Sequence, residues 1–123
     1  MKLYNVTRRR MLAEDLTVAN SFFKRLRGLM RYPNFPKHQG LLLVPCRSVH
    51  TCFMRFAIDV VFLNSSFRVV FAISQLKPYR FSPWIREAQM AVELEPGILV
   101  TTGTGIGDQL AIIGRERGML NER

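Results

Sequence analysis

Cys46, His50 and Cys52 fall within seven residues, in the run CRSVHTCFMRFAIDVVF that spans positions 46 to 62, and Asp59 follows on the same run. A thiol beside an imidazole can serve as nucleophile and base if a third group orients the ring. His50, Asp59 and Cys52 are therefore the candidate catalytic residues of a hydrolase- or transferase-like enzyme. Zinc would need four ligands at tetrahedral geometry, with Asp59 or His38 completing the set. The run contains neither a CxxC nor an HxxxH spacing, so we expect no metal and no cofactor. The plainer expectation is structural. Cysteine is among the most buried residue types. A carboxylate at the mouth of an apolar strand must be paired or bonded to backbone N–H groups. Asp59 would then anchor the loop 46–57 against the strand, with Arg55 or His50 as partner. Glu93, near the end of another apolar run, admits the same two readings.

Two other stretches carry chemical signals. In KPYRFSPWIR (77–86), Tyr79, Phe81 and Trp84 interleave with Lys77, Arg80 and Arg86. Rings between cations can stack single-stranded nucleic acid or a small anionic ligand. They can equally fold a long loop down onto the protein. GTGIGD (103–108) resembles a phosphate loop only loosely. Its spacing is G-x-G-x-G, a strand is expected to follow, and no Lys-Ser/Thr pair is present. Glycines at tight turns, with Asp108 bonding the bend, is the better account.

These residues need elements to hold them. Met1–Thr7 and Leu12–Ala19 read as short strands around the turn Arg8-Arg9-Arg10, although the second alternates poorly. Phe22, Phe23, Leu26, Leu29 and Met30 mark one face of a helix over 20–30, capped by Asn20 or Ser21. GLLLVP (40–45) and IDVVFL (58–63) are continuous apolar runs, as in buried strands. Asn64-Ser65-Ser66 turns the second into RVVFAIS (68–74), which makes a hairpin. QMAVEL (89–94), a short helix or turn at 98–102, and a last strand at 109–113 complete the order. The expected fold is α+β and mainly β: a small, mainly antiparallel, partly barrel-like sheet covered by one main helix at about 20–30. The 123 residues fit a single domain, 1–123.

Composition narrows the function classes. A hydrophobic content of 48% argues against disorder. No apolar run approaches the ~20 residues that span a bilayer, so no transmembrane segment is expected. No apolar stretch follows the basic N-terminal residues, so we expect no secretory signal and a cytoplasmic location. Two cysteines in such a chain do not make a disulfide framework. The net charge is +9, and residues 1–55 account for it, with eleven Lys/Arg against Glu14 and Asp15. Arg8, Arg9, Arg10, Lys24, Arg25 and Arg27 could face an anionic partner such as nucleic acid or an anionic membrane surface.

RGLM (27–30), GLL (40–42) and the long block VHT-x-FMRF-x-IDVVFL (49–63) resemble the prokaryotic family known as domain of unknown function 192. Val69-Val70, Lys77-Pro78, Glu93-Leu94, Gly97 and Gly107-Asp108 extend the likeness over roughly residues 10 to 114. The chain departs from the family pattern at Ala57, where members usually carry proline. The resemblance implies a compact β-rich fold and supplies no agreed activity. Other branches carry tryptophan and methionine where His50 and Thr51 fall, which argues against a family-wide reaction at His50. The expectation is thus a small non-enzymatic ligand-binding or accessory domain. Its ligand-binding residues would be His50, Thr51, Arg55, Asp59 and Trp84. The enzyme and the basic-patch binder are its rivals.

Overall fold

In the computed structural model of the protein, residues 1–19 and 33–114 are described. Among these residues, eight strands and one short helix follow in the order β1 (Lys2–Asn5), β2 (Arg10–Ala13), β3 (Asp15–Ala19), β4 (Gln39–Leu43), β5 (Ile58–Leu63), β6 (Val69–Leu76), β7 (Met90–Leu94), α1 (Ile98–Thr102) and β8 (Leu110–Ile113). They form two open sheets, one ordered β2-β1-β8 and one ordered β3-β4-β7-β5-β6. An isolated bridge between Arg68 and Gln109 joins the β6 side of one sheet to the β8 side of the other. The protein is therefore mainly β, with two sheets that are linked but not closed.

The apolar runs are explained by a five-stranded sheet buried on both faces. Every residue of β5 is buried. Side chains alternate across a strand, and β5 divides accordingly. Val61 and Leu63 join a core shared with Leu3, Leu12 and Leu110 of the three-stranded sheet and Leu99 of α1. Ile58, Val60 and Phe62 face the other way, toward Val49, Met54, Ile85 and Ala88. This second core is roofed by the loops 44–57 and 77–89 rather than by another sheet. The loops that carry the sequence's chemical residues are thus a packed layer of the fold.

One expectation about the strands needs amendment. The run Leu12–Ala19 is not one strand. It breaks at Glu14 into β2 and β3, which lie in different sheets. The backbone N–H groups of Glu14 and Asp15 both donate to the His38 carbonyl, at 2.8 and 3.1 Å. That crossing accounts for the poor alternation. The arrangement is mainly antiparallel, as expected: β3 pairs with β4 in parallel, while the other strand pairs are antiparallel. A parallel pair needs a crossover connection. The expected helix over 20–30 falls in that connection and, with Lys24, Arg25 and Arg27, lies outside the described residues.

Gly40 on β4 has a packing reason. A Cβ there would meet Ala13 Cβ, Leu16 Cδ1 and Leu94 Cδ2, each at 3.1 Å. The two sheets approach so closely at that point that a larger residue would require its neighbours to shift by a few tenths of an ångström.

Candidate functional site

Residues 47–51 run alongside 79–85. The Ile85 N–H donates to Arg47 O at 2.8 Å, and the Ser82 N–H to Val49 O at 2.8 Å. The Val49 N–H returns to Ser82 Oγ at 2.9 Å. Further along, the Thr51 N–H donates to Arg80 O at 2.9 Å and the Tyr79 N–H to Thr51 O at 3.0 Å. Thr51 is fully buried. Its hydroxyl donates to Lys77 O and accepts from the Arg80 N–H at 2.9 Å. Thr51 therefore clamps one loop to the other. Its polar atoms are consumed by backbone groups, as buried polar atoms must be.

Asp59 is also fully buried, and the structure gives it neither Arg55 nor His50 as a hydrogen-bond partner. Its Oδ1 accepts the Gln75 N–H and its Oδ2 the Leu99 N–H, both at 2.8 Å. Each bond answers a local need. The β5–β6 register slips between Ile58 and Val60, and Gln75 lies on the bulged side with a left-handed φ of 54°. A bulge leaves a residue out of the ladder, and Asp59 takes up the N–H of Gln75. Leu99 sits in the first turn of α1, where helix N–H groups have no intrahelical partner. The N-cap, Gly97, has no side chain to supply one. Asp59 caps this helix from a different strand. It anchors β6 and α1, not the loop 46–57, because its side chain points to the inter-sheet face with Val61.

His50 is half-buried and bridges to Phe81, with ring centroids 5.9 Å apart. Its Nδ1 accepts the Cys52 N–H at 3.2 Å. This bond requires Nδ1 to be unprotonated, so it fixes the tautomer. The hydrogen bond between His50 and Cys52 thus runs to the backbone of Cys52, not to its thiol. Cys46 Sγ donates to Ser48 O at 3.1 Å. Cys46 and Cys52 are thiols and are not joined in a disulfide. Arg55 is exposed. Among the described residues no three His, Cys, Asp or Glu side chains gather as metal ligands.

The rim of this loop layer is aromatic. Phe53, Tyr79, Phe81 and Trp84 are 60%, 59%, 72% and 70% exposed. Phe53 and Tyr79 meet edge to face with centroids 5.8 Å apart. Both also hold left-handed φ values, 67° and 59°. That conformation is unfavourable for bulky residues, by about 1–3 kcal/mol each. Exposed cations Arg55, Lys77, Arg80 and Arg86 belong to the same loops. A solvent-open cavity of about 400 Å³ lies at the Trp84 end, lined by Pro45, Cys46, Arg47, Trp84, Ala88 and Gln89. Trp84 was the sequence candidate that reaches it. Arg47 and Cys46 reach it only because residues 45–47 cross residues 84–89. Phe53 and Arg47 had no distinguishing sequence signal as surface residues.

The glycine-rich bend is a separate, structural site. Asp108 Oδ2 accepts from Asn5 Nδ2 at 3.0 Å, the Gly105 N–H at 3.1 Å and Arg8 Nε at 3.2 Å. Asn5 Nδ2 also lies 2.9 Å from Thr104 Oγ1. Burial raises the carboxyl pKa of Asp108, but the bonds from Asn5, Gly105 and Arg8 outweigh it and hold the group below its ordinary value of 3.8. Strand β8 follows the bend. The loop's interior is filled by its own carboxylate.

Residues 5–112 match the family DUF192, described as Uncharacterized ACR. The chain belongs to this family. Among DUF192 relatives, a UPF0127 protein of Pyrococcus furiosus is 37% identical over 113 residues, covering 88% of this chain and 95% of that one. A UPF0127 protein of Thermococcus sibiricus is 33% identical and covers 88% of this chain and 72% of its own length. The crystal structure of a protein of unknown function from Novosphingobium aromaticivorans superposes with a TM-score of 0.74 over 90% of this chain and 82% of that one, at 16% identity. These likenesses establish the DUF192 membership and the fold, and they carry no activity. Among the described residues no helix is long and apolar enough to cross a membrane.

Proposed function

We propose that the protein is a non-enzymatic binding domain whose recognition surface is the rim of the loops 46–57 and 77–86. The supporting observation is the contrast within those loops and the adjoining strand. Thr51 and Asp59 are fully buried and bonded to backbone groups, while Phe53, Tyr79, Phe81 and Trp84 stand largely in solvent. An enzyme needs its polar groups to reach a substrate. A binding surface needs exposed anchors, and aromatic residues and Arg are enriched at such anchors. His50 and Arg55 belong to this rim as ligand-contacting residues, and Trp84 to its far end. Thr51 supports it from beneath by clamping the two loops together, while Asp59 braces the opposite face of the sheet.

The test compares the native protein with a Phe53→Asn/Phe81→Ser double variant as immobilised bait in cell extract. Asn tolerates the left-handed backbone at position 53. The native protein should retain a defined partner that the double variant loses at unchanged melting temperature. Equal retention by both, or retention by neither, rejects the rim as a binding surface.

A second reading rests on the turn between β1 and β2. Arg9 and Arg10 are exposed there. Arg8 is instead held by Asp108 in an ion pair of 3.2 Å. An anionic partner at this turn would bind with an affinity that falls steeply with salt. Salt-insensitive binding excludes it. A cytoplasmic location belongs to the same proposal, supported by two thiols that form no disulfide with each other.

A further inference from the structure

The cavity of about 400 Å³ beside Trp84 has the size of a small-molecule site. Its walls are fixed before any ligand arrives. The Ile85 N–H donates to Arg47 O at 2.8 Å, and the Cys46 N–H to Gln89 O at 3.1 Å. Arg47 Nε donates to Ala88 O at 2.9 Å. That last bond orients the guanidinium, while its Nη1 and Nη2 make no hydrogen bond to the described residues. A guanidinium fork held in this way matches a carboxylate or phosphate. Trp84 is 70% exposed and lies between Pro83, whose ring fixes its own φ, and the buried Ile85. The Trp84 side chain lines the same cavity. Gln89 adds an amide, and none of the six lining residues is acidic.

Resting on the binding-domain reading, we infer that this cavity takes a small aromatic anion, with its ring stacked on Trp84 and its carboxylate or phosphate on the Arg47 fork. Cavity, cation and platform come together because residues 45–47 cross residues 84–89. Phe53 and Phe81 are not part of it.

Trp84 is the single tryptophan of the chain, so its emission reports occupancy without a label. Titration of the native protein with phenyl phosphate, benzoate and adenosine monophosphate should give saturable quenching by at least one of them. The three arms separate phosphate from carboxylate and a single ring from a nucleobase. Benzyl alcohol, which has the ring without the anion, should bind at least about tenfold more weakly, since the charge-assisted pair is lost. Arg47→Gln should show a similar loss, and Arg47→Lys, which keeps the charge without the fork, a smaller one. Saturating ligand should also slow alkylation of Cys46 by iodoacetamide, with Cys46→Ser identifying the reacting thiol.

Absence of saturable quenching by all three anions overturns the inference, as does equal affinity for benzyl alcohol. Tight, salt-sensitive binding of oligothymidylate with no response to the three small anions replaces it with a single-stranded nucleic-acid surface. The Phe53→Asn/Phe81→Ser variant separates the two proposals. It should lose the rim partner while titrating normally in the cavity.

Discussion

Asp59 and the rings of Phe53, Tyr79, Phe81 and Trp84 receive opposite treatment from the fold. The carboxylate is removed from water completely, and the rings are 59–72% exposed. Desolvating a carboxylate costs several kcal/mol unless charge-assisted bonds offset it. Here two backbone N–H groups, one at a bulge and one at a helix start, would otherwise be left without acceptors. A single side chain meets both needs. Leaving a large apolar side chain in water forgoes roughly 1.5–3 kcal/mol each. The contacts of Phe53 with Tyr79 and of Phe81 with His50 recover only part of that loss, which supports the proposed interaction surface. The difference shows that in this domain the polar residues of the signature build the frame while its aromatic neighbours face outward.

The strongest attack on that contrast is Asp59→Ala. It removes the acceptor from the buried Leu99 N–H and from the part-buried Gln75 N–H, so we expect a loss of about 2–4 kcal/mol, read as a lower denaturant midpoint. Asp59→Asn should fall between, because its amide keeps one oxygen. A loss under about 0.5 kcal/mol would show that Asp59 is no anchor.

A smaller effect tests the other buried carboxylate, Asp108. Its folded pKa lies below the ordinary 3.8. The stability it contributes is therefore complete above that value and is lost as pH falls through the lower, folded pKa. Thermal melts of the native protein should decline over that acid range, and the decline should be shallower in Asp108→Asn. Parallel acid profiles would mean that the Asn5–Arg8–Gly105 bonds do not favour the charged form.

The smallest effect should come from the rim. Phe53→Asn/Phe81→Ser should change folding stability by about 0.5 kcal/mol or less, since both rings are exposed and Asn relieves a left-handed position. A loss as large as that of Asp59→Ala would mean that the rings pack into the fold, and the comparison would collapse.

Much of the frame was legible in the chain because its signals are local. The unbroken apolar runs at 40–45 and 58–63 announced strands buried on both faces, and Asn64 announced its turn by accepting the N–H groups of Ser66 and Arg68. Asp108 closing its glycine bend was equally readable, since Gly105 lies three residues away. The break at Glu14 was not, because its cause, the His38 carbonyl, lies in a different segment. The true partners of Asp59 were hidden for the same reason. Gln75 and Leu99 are 16 and 40 residues distant, whereas Arg55 and His50 are near in sequence.

The sequence by itself determined the family, the mainly β character and the need for a buried Asp59 to find bonds, because residue type and short spacing govern these. Only the tertiary structure decided which donors Asp59 meets, which aromatic rings remain in water, and that Cys46, Arg47 and Trp84 share a cavity. Those outcomes depend on how one face of the five-stranded sheet is roofed by loops 77–89 and 44–57. Packing across long sequence separations sets that arrangement, and no local pattern encodes it.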